Sequence, residues 1–190
     1  MKRPTIAIPA ALGYLGAIVL ANYLIVHGFP GATYSPFSHT YTVPVLFGLV
    51  APAGVYVVAL SWPARDLVQL GGSRALGIAA IFVGALVSWW VANPAIAVAS
   101  GGTLLISETA DFLVYTPMQR RLVWAVVASS LIGAVLDSVI FLSWSGIGFG
   151  PGGVILKGQI VGKATTVLLI GLPVALMLRR TDSVKELLPA

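Results

Sequence analysis

The 190-residue sequence predicts an all-α integral membrane protein, a compact bundle of six transmembrane helices with both termini in the cytoplasm. Three observations predict it. Hydrophobic residues make up 58% of the chain and charged residues only 9%, with a mean hydropathy of +0.97, whereas a soluble domain carries roughly 25% charged residues. The apolar runs are continuous and of about 20 residues, the length that crosses a bilayer as a helix; a β-barrel would alternate instead. With six spans, Lys2, Arg3, Arg65, Arg74, Arg120, Arg121, Arg179, Arg180 and Lys185 all fall on one side, and Lys157 alone lies in a loop on the other. That asymmetry marks a cytoplasmic face. The formal net charge of +5 therefore reports topology, and no nucleic-acid partner is expected. The chain has no cysteine, which excludes disulfides and thiolate metal sites.

The first span is expected over about 5–27. Its apolar run is too long for the core of a signal peptide and shows no small-residue cleavage site before Asn22, so it reads as a retained span. The stretch GFPGATYSPFSHTYT has no Lys, Arg, Asp or Glu and forms a loop on the side that bases avoid. A second span over about 43–62 contains Pro44, Pro52 and Gly54, which point to a kink or a break. A third, about 75–92, is uniformly apolar and ends in the interfacial pair Trp89 and Trp90. Asn93 and Pro94 turn the chain tightly into a fourth span over about 95–115. After the basic turn TPMQRR, a fifth runs over about 122–145. The glycine-rich segment GIGFGPGGVILKGQ lacks the strand, the Gly-Lys-Ser/Thr ending and the spacing of a phosphate-binding loop. It reads as a flexible connection to the sixth span, about 157–178.

Charged residues inside these spans are the candidates for function. A carboxylate at mid-helix costs roughly 2.5 to 3.5 kcal/mol on insertion scales, so it faces protein or water and marks a site by default. Glu108 and Asp111 share one helical face, with Ser100, Leu104, Ser107 and Tyr115 on or near the same stripe. On the fifth span Ser130, Asp137 and Trp144 recur every seven residues, with Gly133 and Phe141 between them. Lys163 on the sixth span has Gln159 four residues before it. An intramembrane lysine needs a partner, and the acids of spans four and five are the candidates; near the interface it would snorkel instead. Asn22 either bonds a neighbouring helix or contacts a ligand. Arg65 and Asp66 either lie in a solvated cytoplasmic loop or form an ion pair capping the bundle. With Lys163 they are the candidates for ion pairing or coupling. The acids and Lys163 either exchange protons as part of a transport cycle or form a permanent network that fixes helix register.

The runs SETADFLVYTPMQRR, WAVVASSLIGAVLDSVIFL and GQIVGKATTVLL, three charged motifs in order on successive spans, resemble the VUT family of bacterial queuosine-precursor transporters. The resemblance covers roughly residues 100–178, with weaker agreement at Asn22-Tyr23-Leu24 and Arg65-Asp66. It implies a six-helix protein of the bacterial inner membrane that imports 7-deazaguanines. These include 7-cyano-7-deazaguanine and 7-aminomethyl-7-deazaguanine, nucleobase-like precursors of a modified tRNA base. The chain departs from the family at Ser129-Ser130, where Ser-Asn is often found before the glycine of span five. A hydroxyl cannot present an amide's donor and acceptor together, which bears on the ligand's identity.

A flat base of this kind asks for a carboxylate that accepts two parallel hydrogen bonds from its edge, and for an aromatic ring on its face. Glu108, Asp111 and Asp137 are candidates for the first; Phe141, Tyr115, Trp144 or Trp124 for the second. Asn22, Gln159, Ser107 and Ser130 offer mixed donors and acceptors. The expectation is that Glu108 or Asp137 reads the edge while Lys163 neutralises whichever acid is left over.

Two other classes compete. A substrate-binding subunit of an ATP-driven vitamin importer would also lack its own nucleotide site, so the sequence does not separate it from a carrier. An intramembrane enzyme is the third. Against it, His27 and His39 lie outside the polar stripes, no HExxH is present, and neither Ser107 nor Ser130 sits in a nucleophile motif. No catalytic residue, metal or cofactor is therefore expected. Short glycine-rich helices suggest a homodimer face.

Overall fold

The computed structural model describes residues 4–36, 39–94 and 96–180, so Lys2, Arg3 and Lys185 lie outside the described residues. Helix α1 (Pro4–His27) buries Tyr14, Ala17, Ile18, Ala21, Asn22 and Ile25, a single face at three- and four-residue spacing. A small antiparallel sheet follows, with β1 (Thr33–Ser35), β2 (Thr40–Pro44) and β3 (Val50–Pro52) in spatial order β1-β2-β3. Tyr34 pairs with Tyr41, and Val43 with Ala51. One short helix, α2 (Val55–Val58), leads into α3 (Ser61–Gly71). Helix α4 (Arg74–Val91) starts on a cap in which the Leu76 N–H donates to Ser73 Oγ at 3.2 Å. Helices α5 (Ala97–Met118) and α6 (Leu122–Trp144) follow, joined by a tight turn at Gln119–Arg121. Helix α7 (Val154–Thr166) continues through a π-helical stretch, Val167–Gly171, into α8 (Leu172–Arg180).

Four apolar helical stretches are long enough to cross a membrane: Ile6–His27, Arg74–Val91, Ala97–Trp144 and Pro151–Arg180. The third, 48 residues long, is α5 and α6 folded back on each other, so that Gly102 near the start of α5 meets the Trp144 ring at the end of α6. These are the helices of a membrane protein.

The expected second span over about 43–62 is not one continuous helix: the end of β2, a reversal and β3 occupy its first part, and α2 and the start of α3 the rest, in a chain that is otherwise largely helical. Its prolines explain this. Pro44 and Pro52 cannot donate to a helical ladder, and here they close strands β2 and β3. Between those strands the chain reverses through Phe47 and Gly48, both at positive φ (62° and 70°), and Val45 N–H closes the reversal onto the Leu49 carbonyl at 2.7 Å. Ala51 and Ala53 are buried, and two glycines admit the segment. A Cβ on Gly54 would strike the Ala21 carbonyl of α1, and one on Gly158 of α7 would strike the Val50 carbonyl of β3.

The segment joining α6 to α7 takes its course from its glycines. Gly146, Gly148, Gly150, Gly152 and Gly153 all sit at φ between +60° and +74°, a region that side chains disfavour. The glycines set a defined path, which tucks Ile147 into the core.

Among the described residues apolar packing forms five clusters, two of which lie toward opposite ends of the bundle. At one end Leu70, Leu122 and Ala175 gather Ile6, Met118 and Leu178 around them. At the other, Ile25, Ala92, Ile96, Ile147 and Ile155 pack with Val50 of the sheet.

Candidate functional site

The buried charges separate into two clusters, and α3 touches both. Its sequence SWPARDLVQLG places Ser61, Arg65 and Gln69 at successive four-residue intervals, hence on one face. Arg65 is fully buried and its guanidinium forks onto three carboxylates. Nε meets Glu108 Oε2 at 3.1 Å, Nη1 meets Asp66 Oδ1 at 2.9 Å, and Nη2 pairs with Asp111 Oδ2. Nη1 also donates to Gln69 Oε1 at 3.3 Å, and the other Glu108 oxygen accepts from Ser61 Oγ at 3.1 Å. The rings of Phe112 and Tyr115 each lie 5.8 Å from the guanidinium carbon. Arg65 and Asp66 therefore lie inside the bundle and not in a solvated loop. The charges of Glu108, Asp66 and Asp111 offset the removal of the guanidinium from water, and Glu108 and Gln69 accept its hydrogen bonds.

The second cluster centres on Lys163 of α7. Its three ammonium protons have three acceptors: Asp137 Oδ2, Ser138 Oγ at 3.0 Å and Gln159 Oε1 at 2.6 Å. Lys163 is buried, so it does not snorkel, and its acidic partner is Asp137 rather than Glu108 or Asp111. Consecutive residues of α3 bridge the clusters, since Ser61 bonds Glu108 while the Trp62 ring centre lies 6.0 Å from Lys163 Nζ.

Beside Lys163 is a cavity of about 50 Å³, room for a few water molecules. Asn22, Asp137, Phe141, Gln159 and Lys163 line it, and the bend between β3 and α2, with Pro52, Gly54 and Val55, forms one wall. Ser100 and Ser88 complete its polar lining. The Ser100 hydroxyl is buried without a hydrogen-bond partner, whereas Asn22 donates to Ser88 Oγ at 3.3 Å and to the Ile18 carbonyl at 3.0 Å.

The candidate residues thus divide. Five line the cavity: Asn22, Asp137, Phe141, Gln159 and Lys163. Glu108, Asp111 and Tyr115 belong to the Arg65 cluster and do not line it. Ser107 is buried with its hydroxyl on the Leu104 carbonyl at 3.4 Å, and Ser130 is buried without a partner away from the cavity lining. The division of labour expected between Glu108 and Asp137 does not hold geometrically, because the acid at the cavity is the same one that Lys163 neutralises. Trp124 and Trp144 are 66% and 53% exposed on the outside of the bundle, so neither ring faces the cavity.

Ser61, Gln69 and Ser88 escaped the sequence reading. The first two were legible as the four-residue ladder through Arg65, and Ser88 as the one hydroxyl in an otherwise apolar helix. Among the described residues no cluster of His, Cys, Asp and Glu is arranged to hold a metal ion. Comparison with family models, with curated proteins and with solved structures finds no match to this chain.

Proposed function

We propose that this chain is a six-pass importer of the bacterial inner membrane, with both termini cytoplasmic, that carries queuosine precursors, 7-deazaguanines such as 7-cyano-7-deazaguanine. The second pass in this reading is a broken one, made by β3, α2 and α3. Discontinuous elements of this kind line the sites of many carriers, where freed backbone groups face ligand.

The observation that carries the reading is Asp137. Lys163 fixes one of its oxygens, and its side chain keeps 10% exposure beside the cavity. A guanine-like edge presents two adjacent N–H donors, which a carboxylate in this position accepts. Gln159 gives its oxygen to Lys163, which leaves its NH₂ for the base carbonyl. Phe141 supplies a face for stacking, and the unpartnered Ser100 hydroxyl a contact for the substituent. The cavity is smaller than a bicyclic base, so entry requires its walls to part. The wall formed by Pro52, Gly54 and Val55 is the one without a continuous helical ladder.

The Arg65 cluster supports ion coupling, because one guanidinium faces three carboxylates. A proton taken up there would balance part of the surplus and tie it to the position of α3.

Proteoliposomes containing only the purified chain test the proposal. The expected result is saturable uptake of labelled 7-cyano-7-deazaguanine, competed by the 7-aminomethyl analogue but not by adenine, and weakened by an uncoupler. Binding without uptake would assign the chain to an ATP-driven importer, and absence of binding would remove the deazaguanine reading.

A further inference from the structure

At the end of the bundle opposite the sheet, Arg120, Arg121, Leu122, Val123, Trp124 and Arg179 enclose a cleft of about 300 Å³. That volume lies at the small end of the range for ligand pockets, about 300 to 1,000 Å³. Three of its six lining residues are arginines and none is acidic. All four ion pairs among the described residues belong to Arg65 or Lys163, so these three arginines are not neutralised by any described residue. The chain turns from α5 into α6 at this point, and the first turn of α6 has no side-chain cap. Trp124, 66% exposed, stands beside the arginines, where an indole sits at the headgroup level of a bilayer.

We propose that this cleft binds the phosphodiester headgroup of an anionic phospholipid. Arginine forks match phosphate oxygens bidentately, and Trp124 anchors the cleft at the depth where the headgroup lies. An acyl chain then runs along the lipid-exposed side of α6, where Ile132, Val135 and Val139 are exposed. Leaflet lipid, held where α5, α6 and α8 meet, ties the turn of the α5–α6 hairpin to the end of α8. The proposal is independent of what the internal cavity carries.

The test is lipid binding to the purified full chain by native mass spectrometry, with phosphatidylglycerol and phosphatidylcholine of identical acyl chains and with inorganic phosphate as competitor. Phosphatidylglycerol should be retained about tenfold or more over phosphatidylcholine, and Arg120→Gln with Arg121→Gln should erase that preference. Arg179→Gln, at the exposed end of α8, should weaken it about threefold and serves where the double variant does not fold. Equal retention of the two lipids, or a preference that survives both sets of variants, overturns the proposal. Full displacement by millimolar phosphate would make the cleft a free-anion site instead. Retention that arises only after removal of residues 181–190 would assign the cleft to the chain's own tail, with its Asp182 and Glu186.

Discussion

At Lys163 and Arg65 the same problem, a cation deep in an apolar bundle, is solved in two ways. Lys163 has one carboxylate and two neutral acceptors, so its pair with Asp137 is balanced. Arg65 has three carboxylates and relies on them to stay buried as much as they rely on it. Truncating one partner of a buried pair costs about 3 to 5 kcal/mol, because the other is left uncompensated. Arg65→Gln is therefore expected to lower stability by about that amount or to prevent folding, read as the loss of a monodisperse, cooperatively melting species in detergent. Lys163→Met alone should cost a similar amount. Combined with Asp137→Leu it should recover most of the stability, since apolar replacement of both partners is close to neutral. That double variant should melt near wild type yet bind no 7-deazaguanine. Recovery of binding along with stability would remove the pair from the ligand site.

The helices differ in how plainly their sequences announced them. The stripes on α5 and α6 were legible because buried residues recur at three and four: Ser100, Leu104, Ser107, Glu108, Asp111 and Tyr115 on one, Ser130, Gly133, Asp137 and Phe141 on the other. Periodicity failed over 43–62, where an apolar run bounded by prolines serves a buried strand and a helix equally well. It failed again at α3, whose polar composition resembles a loop although it lies at the centre of the bundle, its charges paired across to α5. Which acid Lys163 would choose was not legible either, since that depends on the rotation of α6 against α7. The broken second element makes its own prediction. Gly158→Ala would drive a methyl into the Val50 carbonyl, and the overpacking should cost about 1 to 3 kcal/mol in a denaturant or thermal titration. Gly13→Ala on α1 meets nothing within 4 Å and should be neutral or stabilising by about 0.5 to 1 kcal/mol. Equal effects would mean that β3 does not pack against α7.

For the molecule as a whole, the basic cleft at one end and the sheet at the other define its sides. The chain has no cysteine, so single cysteines report sidedness without background. Arg121→Cys should be labelled from the cytoplasm by an impermeant maleimide and Lys157→Cys only from outside. Labelling of both from one side would contradict six passes. The claim on which the function rests is narrower: that Asp137 holds the ligand while Glu108 holds α3. It is tested most directly by measuring the affinity of purified Asp137→Asn and Glu108→Gln for 7-cyano-7-deazaguanine. We predict a loss of about tenfold or more for Asp137→Asn, the cost of one charge-assisted hydrogen bond, and affinity close to wild type for Glu108→Gln. An Asp137→Asn protein that is folded and binds as wild type does would contradict the account.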